Sequence, residues 1–155
     1  MHMQQPFNRA AANEILRKLA DSQPREGTYW HAAWVRDLLL MSWAFYHPNR
    51  IAELYCATWK IDNSGHVFTQ AVGRWFYRNI HAGYASKIGA YELAQPAAEM
   101  LALYLACARA QLLKKESDLL LNMPSNHVNH RINTLIEKHF DRPVKFSELR
   151  KLQNG

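Results

Sequence analysis

The chain has 155 residues, of which 48% are hydrophobic and 12% aromatic, a composition that excludes a disordered tail and suits a single domain over residues 1–155. Its net charge of +6 favours an acidic partner such as nucleic acid. No apolar run is long enough to cross a membrane, and the first residues lack the apolar core of a secretory signal. We therefore expect a cytoplasmic protein without a membrane partner. The two cysteines, Cys56 and Cys107, are predicted to be buried thiols.

Apolar residues at helical spacing predict most of the secondary structure. Asn8, Asn49 and Ser147 are suitable caps for the first, third and last helix. The second helix has almost no polar face, which indicates that it lies in the centre of the core. The predicted helices cover residues 9–20, 30–46, 50–57, 96–114 and 127–139, and a last helix begins at residue 148.

Three short strands are predicted in the middle of the chain, over residues 66–72, 75–80 and 87–93. Together they form a small antiparallel meander, so the expected fold class is mainly α with a small antiparallel β-sheet.

The predicted meander is basic and aromatic. Residues 63–91 contain no Asp or Glu but include Arg74, Trp75, Arg78 and Lys87. Basic residues interleaved with aromatic ones are typical of a surface that faces phosphates. The alternative is a hairpin whose aromatic residues belong to the core and whose acidic residues are absent by chance.

Common catalytic motifs are missing. The sequence has no P-loop, no G-x-S-x-G, no G-x-G-x-x-G and no C-x-x-C. His127 and His130 are spaced to share a metal, but no third ligand follows at the spacing of a known zinc motif. We therefore predict neither a metal nor a cofactor, and motifs give no support to a hydrolase, an NTPase or a dehydrogenase.

One ordered set of segments remains. Arg50-Ile51-Ala52-Glu53-Leu54 follows the apolar helix, and Trp59-Lys60-Ile61-Asp62 precedes the strands. Tyr91-Glu92-Leu93-Ala94-Gln95-Pro96 follows the predicted hairpin. Phe146-Ser147-Glu148-Leu149-Arg150 comes near the end. In order and spacing these segments resemble the catalytic core of the tyrosine recombinases, the phage integrase family, over about residues 14–151.

The resemblance implies site-specific cleavage and rejoining of double-stranded DNA. Arg50 and Arg150 would hold the scissile phosphate, since the planar guanidinium matches phosphate oxygens in pairs. Lys87 would protonate the leaving oxygen, unless Arg74 takes that place. Glu53 would support the architecture of the site. The DNA contacts expected from the meander are those of Arg74, Trp75 and Arg78.

The sequence departs from the family pattern at several positions, among them Asn49, where an apolar residue is common, and Lys151, where a second histidine is frequent. Pro48 stands where the first box has glycine, and Ser147 stands where the second box has histidine. Serine can donate a hydrogen bond to phosphate but cannot shuttle protons near neutral pH. No tyrosine follows Tyr104, whereas the family's nucleophilic tyrosine lies after the second box. The sequence therefore predicts a C-terminally incomplete catalytic core that binds DNA without cleaving it, as a monomer in solution that could self-assemble on DNA.

Two other functions stay open. The chain could be a non-catalytic, DNA-binding regulatory remnant of the same scaffold, which Ser147 favours. It could also be a helical protein-interaction module with no role on nucleic acid. In each case Trp30, Trp34, Trp43 and Trp59 are predicted to lie in the core.

Overall fold

A computed structural model describes residues 5–51, 54, 66–71, 74–79, 89–113, 119–121 and 123–152. The structure is mainly helical with a small antiparallel sheet, as the sequence predicts. Its helices are α1 (Arg9–Asp21), α2 (Tyr29–Tyr46), α3 (Gln95–Cys107), α4 (Arg109–Leu112), α5 (Ser125–His139) and α6 (Phe146–Lys151), with a 3₁₀ turn over Pro48–Arg50. The strands are β1 (His66–Ala71), β2 (Arg74–Asn79) and β3 (Gly89–Glu92).

The three strands pair in the order β1-β2-β3, and both pairings are antiparallel. His66 lies opposite Asn79 and Ala71 opposite Arg74, while Tyr77 lies opposite Tyr91. This is the predicted meander. Its inner face reaches the core through Tyr77, whose side chain is fully buried.

Helix α2 is the centre of the packing. Eleven of its residues are buried, including Leu39, Leu40, Met41 and Trp43, none of which is exposed at all. Because this helix has almost no polar face, helices α1, α3, α4 and α5 pack against it. No helix in the described part of the chain is long and apolar enough to cross a membrane.

Several local predictions are wrong. Asn8 does cap α1, accepting the Ala11 N–H at 2.9 Å, but Asn49 lies inside the 3₁₀ turn and Ser147 lies inside α6. Lys145 occupies the N-cap position of α6, and its N–H is accepted at 3.0 Å by the carboxylate of Glu148. The cap is therefore built by a side chain that reaches back from the first turn of the helix.

The predicted helix over residues 96–114 is divided at Ala108 into α3 and α4. Tyr104 donates a hydrogen bond to the Leu120 carbonyl at 2.9 Å, and Arg109 donates to the Leu119 carbonyl at 2.6 Å. The helix breaks where these side chains bind the returning chain. Of the predicted helix over residues 50–57, only Leu54 is described as helical, and Trp59 and Cys56 lie outside the described residues.

Two predictions of burial are also corrected. Trp30 is 71% exposed, because it lies in the first turn of α2, beyond the elements that cover the rest of that helix. Cys107 is exposed at the end of α3, and its thiol donates to the Leu103 carbonyl. Trp43 is fully buried as predicted, and Trp34 packs partly against the core.

The only charged residue among the buried residues of α2 is Asp37. Arg131 of α5 donates two hydrogen bonds to its carboxylate, at 3.1 and 2.7 Å, and Arg36 donates a third at 3.3 Å. A carboxylate buried in a helix bundle requires such partners, because loss of its hydration is otherwise uncompensated.

We expect the Arg131→Met variant to lose about 2–3 kcal/mol of unfolding free energy, because Asp37 would stay buried with Arg36 alone. Urea denaturation followed by circular dichroism measures this. The control is Arg17→Met, which removes an exposed arginine that pairs with Glu14 and Asp21 on α1. Exposed pairs contribute less than about 1 kcal/mol. Equal losses in the two variants would contradict the assignment.

Candidate functional site

Arg50 is held at the end of the turn that leaves α2. Its N–H donates to the His47 carbonyl at 3.0 Å, and its own carbonyl accepts the indole N–H of the buried Trp43 at 2.9 Å. Pro48, itself buried, begins the turn, where the fixed backbone angle of proline favours a helical geometry. Both backbone polar groups of Arg50 are thus fixed by the core helix.

Arg150 and Ser147 lie on the exposed surface of α6. They are three residues apart on a helix, so their side chains share one face. The opposite face is anchored by Leu149, which is fully buried. The start of α6 is secured by Arg142, whose guanidinium donates to both carboxylate oxygens of Glu148, at 3.1 and 2.8 Å.

The structure brings the two predicted arginine segments together. Helix α6, which carries Arg150 and Ser147, packs against the 3₁₀ turn that carries Arg50. These segments are far apart in the sequence, and nothing local requires that they meet. We call Arg50, Ser147 and Arg150 the arginine clamp. Glu53 and Lys87, the other residues predicted for this centre, lie outside the described residues.

Sequence reasoning missed two aromatic rings beside the clamp. The guanidinium carbon of Arg50 lies 3.9 Å from the centre of the Tyr91 ring. The Tyr91 ring also contacts His47 and Tyr77, with ring centres 5.7 and 5.4 Å apart. The position of His47 before Pro48 indicates a chain turn, and Tyr91 begins one of the segments of the resemblance, but the sequence assigned neither residue a role beside Arg50.

His47 joins the clamp to the sheet. Its Nε2 accepts the backbone N–H of Ala94 at 3.0 Å, so the neutral ring carries its proton on Nδ1. Burial, and to a smaller extent the nearby positive charge of Arg50, lowers the pKa of His47 to about 4. His47 is therefore a neutral structural link at physiological pH.

Arg74, predicted to contact DNA, is exposed but paired. Its Nε and Nη2 both donate to the carboxylate of Glu92 on β3. This pairing raises the pKa of Arg74 and lowers that of Glu92, chiefly through the shared hydrogen bonds. Glu92 lies one residue beyond the acid-free stretch, so the charge at this edge of the sheet is more balanced than the stretch alone indicates.

Trp75 is half-buried and packs against the core, and its carbonyl accepts the Leu93 N–H at 2.9 Å. This placement favours the core interpretation of Trp75 over direct contact with DNA. Arg78 is placed on β2, opposite Val67, but its side chain is outside the described part of the structure.

Two surface clefts are lined by residues that do not belong to the clamp. One, of about 380 Å³, is lined by Lys18, Lys138, Glu14 and Asp141, so its positive and negative charges cancel. The other, of about 420 Å³, is mainly apolar and lies between the start of α1 and the end of α6. Among the described residues, no group of three or more His, Cys, Asp or Glu side chains could hold a metal ion.

Comparison with protein-family models, curated proteins and solved structures finds no match to this chain. What the clamp can bind therefore follows only from the chemistry of its own residues. Two arginines and a hydroxyl on adjoining segments offer hydrogen-bond donors with positive charge, which is what a phosphate group binds.

The stability of the fold should depend on the protonation of His47. Its pKa is about 4 in the folded chain and close to 6.5 in the unfolded chain. Between these values only the unfolded state takes up the proton. The contribution of His47 to the free energy of unfolding is therefore fully present above pH 6.5 and is lost as the pH falls toward 4. The difference corresponds to about 3 kcal/mol.

Urea denaturation at several pH values between 7 and 4 measures this loss. His47→Gln is the comparison, because glutamine can accept the Ala94 N–H but does not titrate. We expect the variant to lose less stability than the wild type over this range. Parallel pH profiles of the two proteins would show that His47 does not titrate as stated.

Proposed function

We propose that this chain binds double-stranded DNA through the arginine clamp, in the manner of the catalytic core of a tyrosine recombinase. The observation that carries the proposal is the packing of α6 against the 3₁₀ turn, which places the Arg150 segment beside the Arg50 segment. The recombinase pattern requires these two segments to meet, and a chance resemblance of two short sequence motifs does not.

The side chains of the clamp have the chemistry for one backbone phosphate. A guanidinium has planar N–H donors that bind two phosphate oxygens at once, and two guanidiniums neutralise the charge of the group. Ser147 adds a hydroxyl donor on the Arg150 face of α6. Phosphate contacts of this kind hold a protein on the duplex, and the net charge of +6 adds a long-range attraction.

The same contacts serve strand exchange in a complete recombinase. Charge develops on the phosphate oxygens as the strand is cut, and donors that are fixed beforehand stabilise it without reorganising. In a complete recombinase, arginines corresponding to Arg50 and Arg150 would neutralise that charge while a tyrosine attacks the phosphate; a lysine corresponding to Lys87 would protonate the oxygen that leaves, and Glu53 would support the site. That reaction class is site-specific DNA cleavage and rejoining, whereas the function proposed for this chain alone is DNA binding.

The exposed aromatic pair at the start of α2 favours the second candidate, a protein-interaction module. Trp30 is 71% exposed and Tyr29 is 52% exposed, and their rings meet edge to face. Large exposed aromatic residues are frequent anchors of protein interfaces. This candidate needs no DNA contact, so a DNA-binding measurement separates the two functions.

The test is fluorescence anisotropy of a labelled DNA duplex, titrated with protein over a series of salt concentrations. We expect Arg50→Ala and Arg150→Ala each to weaken binding about tenfold or more, since each removes charge-assisted hydrogen bonds to phosphate. Each should also reduce the slope of log affinity against log salt by about 1.

Arg25→Ala is the matched control, because Arg25 is an exposed arginine on the loop between α1 and α2. It should change affinity much less than the clamp variants. Circular dichroism of every variant checks that the fold is intact. Folded clamp variants with wild-type affinity, or a wild-type protein that binds no duplex at low salt, would refute the clamp.

A further inference from the structure

The side chain of Arg50 rests on an aromatic ring that sequence analysis did not single out. Its guanidinium carbon lies 3.9 Å from the ring centre of Tyr91, well within the distance at which a cation is attracted to a ring face. Stacking of this kind uses the face of a guanidinium, whereas hydrogen bonds to phosphate use the N–H groups in its plane. Stacking on Tyr91 therefore does not exclude hydrogen bonds from Arg50 to a phosphate.

The Tyr91 ring is itself held in place. Tyr91 lies on β3 opposite Tyr77, whose fully buried ring is 5.4 Å away. The ring of His47 is 5.7 Å from it, and His47 is fixed by its hydrogen bond from Ala94. The Tyr91 ring is thus packed into the sheet and the core, so its position does not depend on the side chain of Arg50.

The backbone of Arg50 is fixed by Trp43 and His47, but a fixed backbone does not order a long side chain. Ordering an arginine side chain at the moment of binding opposes binding by a loss of rotamer entropy. A ring that orders the side chain in the free protein removes most of that loss.

We propose that Tyr91 is the positioning residue of the clamp, which holds the guanidinium of Arg50 in place before a phosphate arrives. This inference rests on the proposed function. Tyr91 acts through Arg50, so its contribution to DNA affinity must disappear when Arg50 is absent. That dependence distinguishes a positioning residue from one that touches DNA and from one that only stabilises the fold.

A double-mutant cycle measured by DNA anisotropy tests the proposal. We expect Tyr91→Leu to weaken DNA binding about three- to tenfold and Tyr91→Phe to bind nearly as the wild type does, since phenylalanine keeps the ring face. In the Arg50→Ala background, Tyr91→Leu should have no further effect. Additive losses in the double variant, or wild-type affinity in folded Tyr91→Leu, would overturn the proposal.

The matched control is Tyr46→Leu, which removes another tyrosine that stacks with an arginine. The guanidinium carbon of Arg9 lies 4.4 Å from the Tyr46 ring, and neither residue is part of the clamp. We expect this variant to lose stability while it keeps its DNA affinity. A loss of affinity as large as that of Tyr91→Leu would show that the effect is general and would refute a special role of Tyr91.

A measurement on the wild type covers the case in which Tyr91→Leu fails to fold. Nitrogen-15 relaxation of the Arg50 Nε–H group reports the order of this side chain in free protein. We expect an order parameter near that of rigid backbone, about 0.85, and a value below about 0.6 would overturn the proposal.

If Arg50→Ala leaves DNA affinity unchanged, the proposed function itself fails. If Arg50→Ala weakens binding and Tyr91→Leu does not, only the role of Tyr91 fails.

Discussion

The constraint on which the structure depends is the apolar surface of α2, which has to be covered from Ala32 to the end of the helix. Helices α1, α3 and α5 cover it, and the buried Asp37 within it is matched by Arg131 from α5. Because the C-terminal end of α2 is buried in the core, the position and direction of the chain that follows it are fixed. The 3₁₀ turn with Arg50 is therefore an extension of the core, and the Trp43 indole that binds the Arg50 carbonyl is the direct link.

His47 links the end of α2 to the sheet. A protonated imidazole would lose its role as acceptor for the Ala94 N–H and would place a charge beside Arg50 in a buried site. The neutral ring instead connects the end of α2 to the end of β3 and packs on Tyr91. His47 thereby aligns the turn that carries Arg50 with the strand that carries Tyr91.

The sequence predicts well what depends on periodicity and poorly what depends on tertiary contact. Helices α1 and α2, the Asn8 cap and the meander follow from local patterns that the structure keeps. The N-cap of α6 is different, because Glu148 is also tied to Arg142 and reaches back to Lys145. Likewise, the hydrophobicity of Trp30 predicts burial only if another element covers the first turn of α2, and no described element does.

The same distinction applies to the candidate site. Arg50 and Arg150 could be selected from the sequence because charged groups that bind phosphate recur in recognisable motifs. Tyr91 and His47 could not, because a supporting residue is defined by what it touches in space. In the folded chain the core fixes the backbone of Arg50, and the sheet supplies the ring on which its side chain stacks. In the proposed function a phosphate would therefore meet donors that are already in place. The ring behind the arginine would then contribute to the affinity of the clamp only through the arginine that it holds.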